Sequence, residues 1–243
     1  MQQTSETYKA LLAAGTPKQP RVTIYNADGS GGVTYYRDNV VSASTRASML
    51  GSDLTVGACI AKELNLVLRN VNAVPRMAMI RVQYRLYNAG PPAQYSEWIN
   101  KGTYFVDTRE EGNGVVTLDC FDPMLKTDQS YTQSGDQGQW PKTDLAVVQE
   151  IASRIGVAVD TRTTEIISRH FAIEYPGYGE DAYTCRDVLG FIGTMYGGNW
   201  IITDENKLRL IILGDIPANT TNLLITQTGD YILIGGYRIL VSR

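Results

Sequence analysis

Residues 63–69 and 80–86 alternate apolar and polar side chains, broken only at Val67, and this period of two constrains the chain more than any other feature. Leu64, Leu66 and Leu68 oppose Glu63, Asn65 and Arg69, while Ile80, Val82, Tyr84 and Leu86 oppose Arg81, Gln83 and Arg85. Only extended backbone sends successive side chains to opposite sides, so both segments are expected as strands of an antiparallel sheet with one dry face and one wet face. The outward trio Arg81, Gln83 and Arg85 is the candidate subunit interface. It reads equally well as a solvated face, although arginine is favoured where proteins meet.

The surrounding sequence supplies partners for these strands. RVTIYNADGSGGVTYY (21–36) reads as two short strands joined by a Gly-rich turn, and TYFVD (103–107) and VVTLDCF (115–121) as another pair joined by the turn TREEGNG. Helical spacing appears at three places. Residues 4–14 can be capped by Thr4 or Ser5, carry Tyr8, Leu11 and Leu12 on one face, and stop at Gly15. TDLAVVQEIASRIG starts at Thr143 or Asp144, carries Leu145, Val148, Ile151, Ala152 and Ile155, and stops at Gly156. A helix over 184–195 starts at Thr184 and carries Cys185, Val188, Leu189, Ile192 and Met195.

A short helix at 162–169, a strand at 171–175, strands at 199–203 and 207–213, and a pair within 222–241 complete the expected elements. The expected class is α+β, mainly β: an antiparallel β-barrel-like domain, then an α/β part that ends in a second hairpin-rich sheet. The expected division is an N-terminal helix over 1–15, the barrel-like domain over 16–130, a linker over 131–143, and an α+β domain over 144–243 that enters a second barrel. The chain stops in the apolar run YILIGGYRILVSR, which leaves open a continuation beyond Arg243.

With 243 residues, 43% of them hydrophobic and 19% charged, the chain has material for a true core. A net charge of −3 offers no broad attraction to phosphate backbones or anionic lipid, so neither nucleic-acid binding nor membrane insertion is expected. No segment approaches the ~20 apolar residues of a membrane span. Cys59, Cys120 and Cys185 are too few and too scattered for a disulfide framework or a metal knuckle, and are expected as buried thiols.

Chemistry is sparse. His170 is the single histidine and falls at a helix-to-strand junction, so histidine-based nucleophilic catalysis and nitrogen-ligated zinc are not expected. Asp107, Glu110, Glu111, Asp119 and Asp122 could supply an acid pair of the glycosidase type, but turns and strand edges collect acids because they are solvated. ADGSGG lacks the Lys-Ser/Thr of a phosphate loop, and GYGED lacks the flanks of a dinucleotide site. Gly197 and Gly198 follow a helix and read as its stop, with Trp200 packing between helix and sheet. Tyr35, Tyr36, Tyr84, Tyr87, Tyr95, Trp98 and Tyr104 could form a ligand platform, yet strands also recruit aromatics for packing. No enzymatic activity, cofactor or metal is expected.

Three blocks carry a family resemblance: SEWINKGTYFVDT (96–108), VTLDCFDPMLKTDQSY with the following WP (116–141), and TCRDVLGFIGTMYGGNWIITDENKLRLI (184–211). Together they resemble the hub proteins encoded in tail modules of phages and prophages of Gram-positive bacteria. These are similar in architecture to the T4-like baseplate hub and the N-terminal half of type VI secretion spike proteins. Trp98, Asp107, Asp122, Gly197, Gly198 and Trp200 are the markers within the blocks. The resemblance implies two related β-barrels with smaller α/β elements, and a homotrimeric ring stacked on the tail tube. That ring would join the tube and distal tail proteins to a spike or tail tip, in a virion tail assembled in the bacterial host cytoplasm. A receptor- or glycan-binding tail-tip module is the alternative, and a cell-wall hydrolase a more distant one.

Overall fold

The computed structural model describes residues 4–47, 55–132, 139–167, 171–175, 182–214, 233–234 and 237–238. Helix α1 (Glu6–Ala13) begins where Ser5 Oγ accepts the Tyr8 amide at 3.1 Å, and Gly15 takes a positive φ after its end. Tyr8 and Leu11 are buried against Leu86 and Ile99. Leu12, expected on the same face, is 52% exposed because it points past the edge of this small cluster.

Strands β1 (Lys18–Tyr25), β2 (Val33–Tyr36), β3 (Val40–Arg46), β4 (Cys59–Ile60), β5 (Glu63–Arg69), β6 (Met79–Asn88), β7 (Gln94–Tyr95), β8 (Ile99–Gly112) and β9 (Val115–Phe121) follow. All but β4 belong to one antiparallel sheet of order β2-β1-β6-β8-β9-β5-β3, with β7 paired to β6. The sheet rolls until Cα atoms of β3 lie within 8 Å of β1. Leu64, Leu66, Leu68, Ile80, Val82, Tyr104, Leu118 and Cys120 fill the inside, so the alternation read from the sequence is the core.

β8 runs further than TYFVD. It continues through Thr108–Gly112 and turns on Asn113 (φ 52°) and Gly114 (φ 76°), so the turn has two residues where seven were expected. Thr108–Glu111 are polar and exposed and show no alternation because neither face of this stretch is buried. Asp107, Glu110 and Glu111 therefore lie on an exposed stretch of strand rather than in a loop.

A 3-10 helix (Pro123–Asp128), β10 (Lys142–Thr143), α2 (Asp144–Arg154), β11 (Ala158–Val159), α3 (Thr161–Ile166), β12 (Ala172–Ile173), α4 (Cys185–Tyr196), β13 (Gly198–Ile202), β14 (Lys207–Ile212), β15 (Leu233–Ile234) and β16 (Tyr237–Arg238) form the rest. Thr184 and Asp187 make a reciprocal capping box on α4, and Gly197 ends it in the left-handed conformation at φ 69°. Val188, Leu189 and Ile192 face the core, whereas Met195 is 48% exposed in the last turn. Trp200 is fully buried and donates its indole N–H to the Leu189 carbonyl at 2.6 Å, as expected of a packing residue.

The second sheet has the order β11-β14-β13-β4, and β4 comes from the first half of the chain. It pairs parallel to β13, with Cys59 opposite Trp200. Asn199, buried, accepts the Ala58 amide and donates to the Thr55 carbonyl, both at 2.9 Å. Arg186 donates to the Cys59 carbonyl at 2.7 Å and pairs with Asp128 at 2.5 Å, and Lys62 and Lys101 both reach Asp204. The protein is thus α+β and mainly β, a large rolled antiparallel sheet laced to a smaller mixed one.

Candidate interaction face

The register of β1 against β6 places Gln19 opposite Arg85, Arg21 opposite Gln83, and Thr23 opposite Arg81. Tyr36 of β2 lies opposite Arg21, and Asn100 of β8 opposite Gln83. Cross-strand partners share a face, so the predicted trio Arg81, Gln83 and Arg85 joins Gln19 and Arg21 on the outside of the sheet.

Hydrogen bonds order this face. Gln83 Oε1 accepts from Arg21 Nε at 2.9 Å and from its Nη2 at 2.5 Å, while Gln83 Nε2 donates to Asn100 Oδ1 at 2.6 Å. Arg85 Nε donates to Gln19 Oε1 at 2.8 Å. The guanidinium carbons of Arg21 and Arg85 lie 4.2 Å and 4.6 Å from the centre of the Trp98 ring. Arg85 also lies 4.0 Å from the Tyr95 ring, which stacks on Tyr87 at 4.8 Å. Arg81 stands over Tyr25 at 5.7 Å. Among the described residues none of these three arginines has a carboxylate partner. Planar cations stacked on π faces and tied to carboxamides form an ordered, cationic, amphipathic surface.

Arg21 and Gln19 were not singled out from sequence, because only the register brings them beside Arg85 and Gln83; their alternation with Val22 and Ile24 was the available signal. The aromatic set divides between the faces. Tyr36, Tyr87, Tyr95 and Trp98 belong to the outer cluster, Tyr104 is buried, Tyr35 packs against the inner core, and the Tyr84 hydroxyl meets that of Tyr8 at 2.6 Å.

The acids do not converge on a cavity. Asp107, Glu110, Glu111 and Asp119 are exposed, and Asp119 accepts from Asn65 at 2.7 Å and Thr108 at 3.0 Å. Asp122 is the buried one. It accepts the Met124 amide at 3.0 Å as cap of the 3-10 helix, while its Oδ2 has no partner among the described residues. Burial, offset in part by Lys62, the Met124 amide and Arg186, pushes its pKa up to about 6.

A folded-state pKa above the unfolded value of about 3.9 means that the folded state binds the extra proton, so this group adds stability as pH falls from about 7 to about 4. Asp122→Asn keeps a capping side chain without the charge. It is expected to be more stable than the parent at pH 7 by roughly 1–3 kcal/mol, with the difference shrinking by pH 5, as urea unfolding at both pH values will show.

Burial also raises the thiols of Cys59 and Cys120 to about 12, keeping them protonated near neutrality. Cys120 and Cys185 are buried as expected, and Cys59 is half-buried. His170 and the stretch around GYGED lie outside the described residues. Among the described residues no group of three or more His, Cys, Asp or Glu is placed to hold a metal, and no helix is long and apolar enough to cross a membrane.

No protein-family model matches the sequence, and no curated protein matches it. Among solved structures, the chain is similar to the 43 kDa tail protein of prophage MuSo2 from Shewanella oneidensis, with 13% identity and a TM-score of 0.50 over 84% of this chain and 58% of that one. It is also similar to the prophage tail protein gp18 from Listeria monocytogenes, with 10% identity and a TM-score of 0.43 over 85% of this chain and 55% of that one. A Francisella PdpA-VgrG complex gives 11% identity and a TM-score of 0.43 over 85% of this chain and 30% of the matched one. At such identities the likeness is one of fold. The chain has the architecture of the Shewanella prophage tail protein and spans 58% of its length, in agreement with the resemblance carried by the three sequence blocks.

Proposed function

We propose that the chain is a structural component of the tail of a phage or phage-like particle, acting as a hub between the tail tube and the spike or tail tip. The observation that carries this reading is the fold shared with the Shewanella prophage tail protein over 84% of the chain. A threefold ring of copies, contact with tube, distal tail and spike or tip proteins, a place in the virion tail, and assembly in the host cytoplasm belong to the same proposal. Its role is one of shape and contact, with no reaction catalysed. The outer arginine face and the markers Trp98, Asp107, Asp122, Gly197, Gly198 and Trp200 serve it by making contact and by holding the fold.

The glycan-platform alternative fits the outer face less well. A sugar stacks on a bare aromatic face, whereas Trp98 is covered by two guanidinium groups and Tyr95 by Tyr87 and Arg85. Native mass spectrometry and negative-stain images of the chain, alone and co-expressed with the tube and spike products of neighbouring genes, test the proposal. A threefold ring or a defined complex is expected; a monomer that binds none of these proteins overturns it.

A further inference from the structure

The outer surface of the rolled sheet is divided by charge. On β1 and β6, Arg21 and Arg85 are drawn onto one indole and anchored by glutamine carboxamides, with no carboxylate paired to either among the described residues. Two cations gathered at one ring repel each other, and an incoming anion relieves that repulsion while meeting donors already fixed in direction. Further along β8, past its pairing with β6, residues 107–112 are all exposed while still paired to β9, which is itself flanked by β5. This hairpin carries Asp107, Glu110, Glu111 and Asp119, against Arg109, which pairs with Glu111 at 3.3 Å.

We propose that the arginine face of one copy receives the exposed acidic end of the β8–β9 hairpin of a second copy, head to tail. The inference rests on the reading of this chain as an assembling tail component and names the surfaces by which copies meet. Donor and acceptor are different patches of one chain, so a head-to-tail contact between them repeats around a ring, and the sedimenting mass distinguishes that from a reciprocal twofold pair. Guanidinium groups suit carboxylates because two parallel N–H donors match two oxygens, and the flanking Trp98 and Tyr95 rings keep water from competing.

Sedimentation velocity over a concentration series tests it, with circular dichroism as the check on folding. Arg21→Glu with Arg85→Glu, and separately Glu110→Arg with Glu111→Arg, are each expected to weaken self-association at least ~10-fold. All four changes in one chain restore it, since the charges are then exchanged across the same contact. Raising NaCl from ~0.05 to ~0.5 M weakens the parent's association, as expected for charges screened at the rim. Glu110 and Glu111 are exposed, so their variant reports even where the arginine variant folds poorly. Unchanged self-association of the folded Glu110/Glu111 variant overturns the inference and leaves the tail-component reading standing. A parent chain that is monomeric by itself also overturns it, and that reading then falls only where the tube and spike proteins fail to bind.

Discussion

Replacing Gly57 by alanine is expected to destabilise the protein by about 3 kcal/mol or more and to lower its melting temperature by about 6–12 °C. Gly57 has φ +85°, which costs an alanine roughly 1–2 kcal/mol in backbone strain before any contact is counted. The added methyl would also stand 2.6 Å from the Gly190 carbonyl oxygen and 2.2 Å from Thr194 Oγ1. The threonine could rotate, but the carbonyl belongs to α4 and cannot. This crossing is tight from both sides: a side chain at Gly193 would meet the Trp200 indole nitrogen at 2.9 Å and the Gly57 Cα at 3.2 Å. Gly190 and Gly193 of LGFIGTMYGG thus let the segment leading into β4 pass close over the helix. Differential scanning calorimetry of Gly57→Ala beside Gly156→Ala, which also has a positive φ (+76°) but whose methyl would meet nothing within 4 Å, separates crowding from backbone strain. Equal shifts for the two would rule out the close crossing as the cause.

The second large effect is expected at Trp200. Removing its side chain in Trp200→Ala empties the space between α4 and β13, and a cavity of that size costs about 3–5 kcal/mol. The change also deletes the indole donor to the Leu189 carbonyl. Trp200→Phe retains most of the ring but not the donor, and should cost less, about 1–3 kcal/mol. Urea unfolding followed by far-UV circular dichroism measures both with the same m value if the folded states are intact. A loss below about 1 kcal/mol for the alanine variant would contradict the burial seen for this residue.

What the sequence disclosed depends on how locally each feature is encoded. β5 and β6 were legible because one buried face imposes alternation on residues close in the chain, and α2 and α4 because Thr143, Thr184, Gly156 and Gly197 mark their ends. The distal part of β8 was read as a turn because Thr108–Glu111 have water on both faces, which leaves no pattern to read. β3 passed unnoticed for a related reason: as an edge strand, VVSASTR is exposed beyond Val40. β4 has only two residues, and its partner lies far along the chain, so nothing near Cys59 announces it. The outer face was half legible. Arg81, Gln83 and Arg85 follow from alternation, whereas Arg21 and Trp98 join them only through pairing register and the path of the chain before β8. Asp122 was recognisable as a marker, but its burial comes from packing between distant segments and has no local signature.

The parallel pairing of β4 with β13 also bears on biosynthesis. Ala58 meets Asn199 across 141 residues, so the segment around β4 leaves the ribosome long before its partner exists. At synthesis rates of about 5–20 residues per second it waits roughly 7–30 s, with the amides and carbonyls destined for β13 satisfied only by water. Until then the nascent chain offers a free strand edge to its neighbours on the same messenger. On this count the unfinished polypeptide is more open to strand pairing with other chains than the completed fold, in which β13 covers that edge.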